Sequence, residues 1–381
     1  MWCRTFMVWM FVSIGCSQAA AQQATAVEAP DTAKLPNLFS IGLGLQHGFI
    51  FAHSQAVQNT RGAHPTGVEA ILSWQRNDAA VWSLCNCYPR KGLLLAYYDY
   101  DTWILGKSLT AAYFLEPAYR LSNRLFFSFK GAAGLSYLTN PFDSIRNPTN
   151  QSYSTHSSAY LALGLGLWYR VGNRWWLNTS VNYQHESNGG RKQPNKGINW
   201  PTAGFAVSYQ KNTRPYYRGT RAHEKYWIHN SPRWDVGIFG IARKALDESG
   251  HSRRLPLVGL VLQGSKQVGR INALTLGAEV YRDEELDSKL KRDSINASPV
   301  KVGISVGHEF LLGRFLFSQR LGVYVFDQTP YYDLIYHRWG LHYRISRHWG
   351  IGFNLQAHRH VADFVDLRLT YSFQKKYRAT P

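Results

Sequence analysis

Alternation of apolar and polar residues, repeated along most of the chain, is the feature that most limits what it can fold into. In Ala159 to Arg170 one row carries Leu161, Leu163, Leu165, Leu167 and Tyr169, and the other Tyr160, Ala162, Gly164, Gly166, Trp168 and Arg170. Val365, Leu367, Leu369, Tyr371 and Phe373 alternate with Asp366, Arg368, Thr370 and Ser372. Trp349, Ile351, Phe353, Leu355 and Ala357 alternate with Gly350, Gly352, Asn354, Gln356 and His358. A period of two marks strands with one apolar and one polar face. No helical period of any length accompanies it. No apolar run reaches the roughly 18 residues a helix needs to cross a bilayer, whereas a membrane strand needs only about 9–11 alternating residues.

The composition of the two rows decides which face is outside. In a soluble sandwich the apolar rows would meet and the polar rows would be charged and solvated. Here the second rows are rich in Gly, Ala, Ser and Asn with scattered Arg and His, which suits a crowded polar lumen. The apolar rows often end in Tyr, Trp or Phe, as interfacial girdles do. The expected fold is an all-β, antiparallel transmembrane β-barrel of the bacterial outer membrane with about sixteen strands. They are expected to start near Phe39, Gly67, Gly92, Leu105, Arg124, Ser158, Trp175 and Trp200, then Asp235, Leu255, Ile271, Val300, Phe315, Tyr336, Trp349 and Phe364.

With the first strand running outward, the short links fall on the inner side: Leu121 to Asn123, Val171 to Asn173, Leu311 to Gly313 and Ser346 to His348. The long links Thr139 to His156, Asp283 to Ser298 and Asp327 to Leu334 fall outside, as in outer-membrane barrels. Lys211 to Trp234 breaks the rule, being long, basic, aromatic and on the inner side. It joins two eight-stranded barrels or forms a large turn in one wide barrel. The single terminal aromatic strand end, Phe373, favours one barrel.

Residues 1–21 read as a secretory signal, with Arg4, an apolar stretch from Phe6 to Gly15 and the small residues Ala19 to Ala21 before Gln22. Residues 22–34 read as a flexible tail. Cys16 suggests a lipoprotein only weakly, because Ser13 stands where a bulky aliphatic is usual. Loss of the signal leaves Cys85 and Cys87, read as small strand-end residues rather than a disulfide framework. The 43 Lys and Arg against 24 Asp and Glu give a formal charge of +19, which would suit nucleic acid. Export and alternation exclude that partner. No metal-ligand set emerges, and His358-Arg359-His360 reads as an interfacial loop. No cofactor is expected.

One histidine stands in a chemical setting. The strand from Trp175 to Ser187 sends Trp175, Leu177, Thr179, Val181 and Tyr183 outward, and the same row continues to His185 and Ser187. Trp176, Asn178, Ser180, Asn182, Gln184 and Glu186 face the lumen. Asn199 begins the outward row of the next strand, followed by Pro201, Ala203, Phe205, Val207 and Tyr209. An imidazole and a hydroxyl at i and i+2 lie close enough for proton transfer. A third polar group on the neighbouring strand can orient the imidazole.

The stretch His185-Glu186-Ser187-Asn188-Gly189-Gly190, with Lys192-Gln193-Pro194-Asn195-Lys196-Gly197-Ile198-Asn199 after it, resembles the active-site segment of the outer-membrane lipid A 3-O-deacylases of the PagL type. Asn140-Pro141-Phe142 with Asn147, Asn150 and His156 is similar to longer relatives labelled acyloxyacyl hydrolases. The resemblance covers about residues 35–210, which leaves 211–233 as a basic aromatic linker, 234–373 as C-terminal barrel strands and 374–381 as a tail. It offers the alternative fold of an eight-stranded deacylase-like barrel followed by a second eight-stranded unit.

The resemblance implies that His185 is the general base, Ser187 the nucleophile on an ester carbonyl, and Asn188 and the Gly190 N–H the oxyanion donors. Loss of one such donor costs about 10²–10³ in rate. The implied substrate is an ester-linked 3-hydroxyacyl chain of lipid A, the lipid part of lipopolysaccharide, with Arg191 and Lys192 beside its phosphates. Insertion by the barrel assembly machinery follows from the same class. The family's third member is Glu, and Asn199 stands there. An amide fixes the tautomer and tilt of His185 but adds no charge. Another carboxylate could substitute; Glu186 is nearest in sequence but points to the opposite face. The rival expectation is a porin-like or structural barrel in which His185 and Ser187 merely cap a strand.

Overall fold

Strands form where the alternation predicts them, because each one separates an apolar row from a row of small, polar or aromatic side chains. The computed structural model describes residues 36–220, 225–246, 252–359 and 361–374. The signal and both tails expected from the sequence lie outside the described residues, apart from Gln374. The first eight strands are β1 (Leu38–Gly48), β2 (Thr66–Gln75), β3 (Tyr88–Asp99), β4 (Lys107–Arg120), β5 (Leu125–Leu138), β6 (Ser157–Val171), β7 (Trp175–Ser187) and β8 (Ile198–Gln210). The second eight are β9 (Arg233–Leu246), β10 (Ser252–Gln267), β11 (Asn272–Asp283), β12 (Val300–Leu312), β13 (Phe315–Phe326), β14 (Ile335–Arg344), β15 (Trp349–His358) and β16 (Val361–Gln374). The largest offset from an expected start is four residues, Gly92 against Tyr88.

The sixteen strands make two closed antiparallel barrels of eight. β1 pairs with β8 from Ser40↔Gln210 to Gly48↔Thr202, and β16 returns to β9 from Leu367↔Gly240 to Gln374↔Arg233. The two-unit alternative is therefore the one adopted. Phe373, which favoured a single barrel, opposes Trp234 of β9, so the terminal strand closes the second barrel only. The inward side chains explain the choice. Sixteen strands enclose an aqueous channel, whereas eight leave a lumen just wide enough for side chains to fill. Tyr98, Tyr160 and Trp200 point into the first lumen and Tyr281, Tyr324 and Tyr336 into the second, all buried. A wide barrel would leave these rings in water.

Polar groups share each lumen, and its buried charges meet opposite charges in several places. Arg90 reaches Glu116 at 3.0 Å and stacks 3.8 Å above the Trp168 ring, and Glu116 also accepts from Ser128 and Trp168. In the second barrel Arg338 spans Glu279 at 3.0 Å and Asp366 at 2.6 Å. The outward rows are the reverse: Leu135 is 70% exposed, Leu43 66% and Leu276 64%. An apolar outside around a polar inside matches hydrocarbon rather than water.

The basic aromatic stretch after Gln210 seals the inner mouth of the first barrel. The Tyr216 hydroxyl donates to Gln75 Oε1 at 2.8 Å, and its ring meets Tyr88 edge-on at 4.9 Å. A short helix α1 (Ala79–Cys85) lies on the same side, capped by the Asp78 carboxylate on the Val81 N–H. At its end Cys85 and Cys87 form a disulfide, which corrects their reading as isolated strand-end residues. The left-handed turn at Asn86 brings the two thiols together, a closure too local for spacing rules to flag.

Candidate active site

Antiparallel register sets the site. β7 and β8 pair so that His185 stands opposite Asn199, two residues before β7 ends at Ser187. His185 and Ser187 lie on the outward row and are partly covered, between buried Gln184, Glu186 and Asn188. The three expected residues come together: His185 Nε2 is 3.0 Å from Ser187 Oγ, and His185 Nδ1 is 2.7 Å from Asn199 Oδ1. An amide oxygen only accepts hydrogen bonds, so Nδ1 carries the imidazole proton. The lone pair of Nε2 then faces the serine hydroxyl, as a general base requires.

Glu186 does not substitute for a carboxylate at position 199. Its side chain is buried on the lumen side, where it accepts from the Tyr100 hydroxyl at 2.5 Å and from Thr110 at 3.2 Å. The far side of Asn199 is instead held by a residue that the sequence reading did not single out. Asn199 Nδ2 lies 2.8 Å from His53 Nδ1. His53 belongs to the loop after β1, and the Phe51 N–H donates to the Asn199 carbonyl at 2.8 Å, which seats that loop on the start of β8. Nothing in local spacing marks His53, because barrel closure rather than sequence brings it to Asn199.

The turn after Ser187 is held from within. The Asn188 N–H donates to Asn195 Oδ1 at 2.9 Å, the Asn188 amide donates to the Lys192 carbonyl at 2.8 Å, and the Gly190 N–H donates to Asn188 Oδ1 at 3.1 Å. Both groups expected to bind an oxyanion therefore have partners inside the turn. Gly197, with φ +78°, closes the turn against the imidazole: a Cβ there would stand 2.6 Å from His185 Cε1. Only glycine permits both the backbone conformation and that approach.

A second loop props the first. The N–H groups of Lys196 and Gly197 donate to the carbonyls of Gln151 and Ser152, and the Ser154 hydroxyl donates to the Lys192 carbonyl. Asn147 and Asn150 each donate to the carbonyls of Ile104 and Asn140. These asparagines thus serve as scaffold. Tyr153 is buried among them with its hydroxyl on the Leu105 carbonyl at 2.6 Å, and burial holds that hydroxyl protonated well above its ordinary range. His156 bonds the Leu138 carbonyl at the strand end. Arg191, Lys192 and Lys196 are exposed around the turn. The second barrel borders it too, since a Cβ on Gly189 would meet Val365 Cγ2 at 3.7 Å.

Residues 88–210 match the family model described as lipid A 3-O-deacylase (PagL), and residues 232–375 match the one described as acyloxyacyl hydrolase, C-terminal domain. No curated protein matches the chain. Among solved structures, the chain is similar to the siderophore receptor PirA from Acinetobacter baumannii, at 7% identity over 90% of this chain and 81% of that one, with a TM-score of 0.25. It is also similar to a mutant TodX monoaromatic hydrocarbon channel, at 10% identity over 91% of each chain and a TM-score of 0.19. A mutant Rh. blastica porin matches at 10% identity over 88% of this chain and 99% of that one, again at 0.19. Scores this low carry no inference about the site.

Proposed function

The chain belongs to the lipid A 3-O-deacylase (PagL) and acyloxyacyl hydrolase family, and from that membership we propose that it hydrolyses an ester-linked acyl chain of lipid A in the bacterial outer membrane. The proposed chain cut is the 3-O-linked hydroxyacyl group. The observation that carries the reading is the imidazole of His185 held between Ser187 and Asn199 on the outward row, with the lone pair of Nε2 toward the hydroxyl.

Ser187 Oγ attacks the ester carbonyl while its proton passes to His185 Nε2. The imidazolium returns that proton to the departing sugar oxygen, leaving a 3-hydroxyacyl ester on Ser187. Water, deprotonated by the same nitrogen, releases the free hydroxy acid. For Asn188 and Gly190 to receive the oxyanion, the Gly190 N–H must exchange its bond to Asn188 Oδ1, and the Asn188 amide its bond to the Lys192 carbonyl, for the substrate oxygen. Exposed Arg191, Lys192 and Lys196 suit the lipid phosphates. A site on the outer wall meets lipid rather than soluble metabolites, and lipid A occupies the outer leaflet. Delivery to that membrane by the barrel assembly machinery belongs to the same proposal.

The porin-like alternative is opposed by lumens filled with paired and aromatic side chains. Lipid A from cells expressing the wild type should lose the mass of one hydroxyacyl chain, that is, of the released hydroxy acid less the water consumed. Ser187→Ala should restore the full mass, with activity down by about 10³-fold or more. Identical mass spectra from both strains would end the hydrolase reading.

A further inference from the structure

We propose that His53 is a positioning residue that sets the tautomer of His185 through the Asn199 side chain; the inference rests on the hydrolase reading above. The Asn199 amide lies between two imidazole Nδ1 atoms, 2.7 Å from His185 and 2.8 Å from His53. An amide has one accepting end and one donating end. It must therefore take a proton from one imidazole and offer one to the other, so the two histidines are bound to opposite Nδ1 states. Only one order serves Ser187. With Oδ1 toward His185, Nδ1 is protonated and Nε2 accepts the serine proton. With the amide turned over, Nδ1 accepts, Nε2 bears the hydrogen, and the base is lost.

A carboxylate at this position would not face the choice, because both of its oxygens accept. The amide does face it, and with His53 Nδ1 accepting from Asn199 Nδ2 the Oδ1 end is left toward His185, which is the productive order. His53 thus compensates in orientation for part of what the missing charge would supply. The backbone bond from Phe51 to the Asn199 carbonyl keeps the imidazole in place without involving the reacting atoms.

The test uses the full chain in phospholipid–detergent micelles with purified lipid A as substrate, and follows hydroxy fatty acid release. Heat-modifiable migration on gels confirms that each variant is folded. His53→Ala should lower kcat by roughly tenfold or more while KM stays within about twofold, because a wrong tautomer removes the base and not the binding. His53→Gln, which can still accept from the Asn199 amide, should recover most of the loss. In an Asn199→Asp background His53→Ala should change kcat by less than about twofold, since the carboxylate accepts with either oxygen. Equal losses in the two backgrounds, or no loss in the native one, would overturn the proposal. Ring nitrogen chemical shifts of His185 give a readout independent of turnover: protonated Nδ1 in the wild type, shifted toward protonated Nε2 in His53→Ala. Unchanged shifts overturn the positioning role, whereas a wild type inert on lipid A with the expected shifts overturns only the hydrolase reading.

Discussion

A neutral amide at position 199 fixes how His185 is turned, and in the proposed reaction it would leave the imidazolium without a counter-charge once the serine proton had moved. Asn199→Asp keeps the size and adds the charge, so kcat should rise by roughly tenfold in a fatty-acid release assay. An unchanged or lower kcat would show that charge at this position does not limit the reaction. Gly197 acts at the same scale through shape. A methyl group there would have to occupy space 2.6 Å from His185 Cε1 and would push the ring off Ser187. Gly197→Ala should therefore cost about 10²-fold in kcat, the effect of a displacement near 1 Å, with the barrel still folded. The residues from His185 to Gly190 were legible as a group because their chemistry and spacing are local. His53 was not, since 132 residues and a barrel closure separate it from His185.

Each strand carries two rows with different tasks, and the inward row holds the energetic risk. Arg90 and Glu116 are both buried in the first lumen, where the carboxylate also accepts from Ser128 and Trp168. Glu116→Gln removes the charge and leaves the guanidinium uncompensated, which should destabilise the barrel by about 3–5 kcal/mol. Urea titration of the refolded protein in micelles measures it; a loss below about 1 kcal/mol would mean that water or a neighbour neutralises Arg90. Strand existence and facing were readable because the period of two is a local property. The β7 pattern predicted that His185 and Ser187 face outward and Glu186 inward, and burial along the strand agrees. The α1 helix and the Cys85–Cys87 disulfide were missed, because seven residues between strands carry too few periods to register.

At the scale of the molecule, two barrels closed on themselves, with filled interiors, leave no continuous aqueous path among the described residues. Reconstituted in a planar bilayer, the protein should show no steady porin-like conductance. A stable open level would contradict the packing of Trp200, Tyr98 and Tyr160 in one lumen and of Arg338, Glu279 and Asp366 in the other. Closure at eight strands also gives the second barrel a place in the site's surroundings, since β16 borders the Gly189 turn through Val365. The start of the basic aromatic linker, residues 211–220, puzzling on the inner side of a single barrel, becomes the cover of the end of the first barrel where β8 finishes.

From the order of residues alone came the strand count, the orientation of each face and the closeness of His185 and Ser187, because each depends on neighbours a few positions apart. Only the tertiary structure decided where the sheet closes, which cysteines join and what stands behind Asn199. Those outcomes depend on which distant segments pack together: rings too large to leave in an aqueous channel close each barrel at eight strands, and that closure carries His53 to the amide.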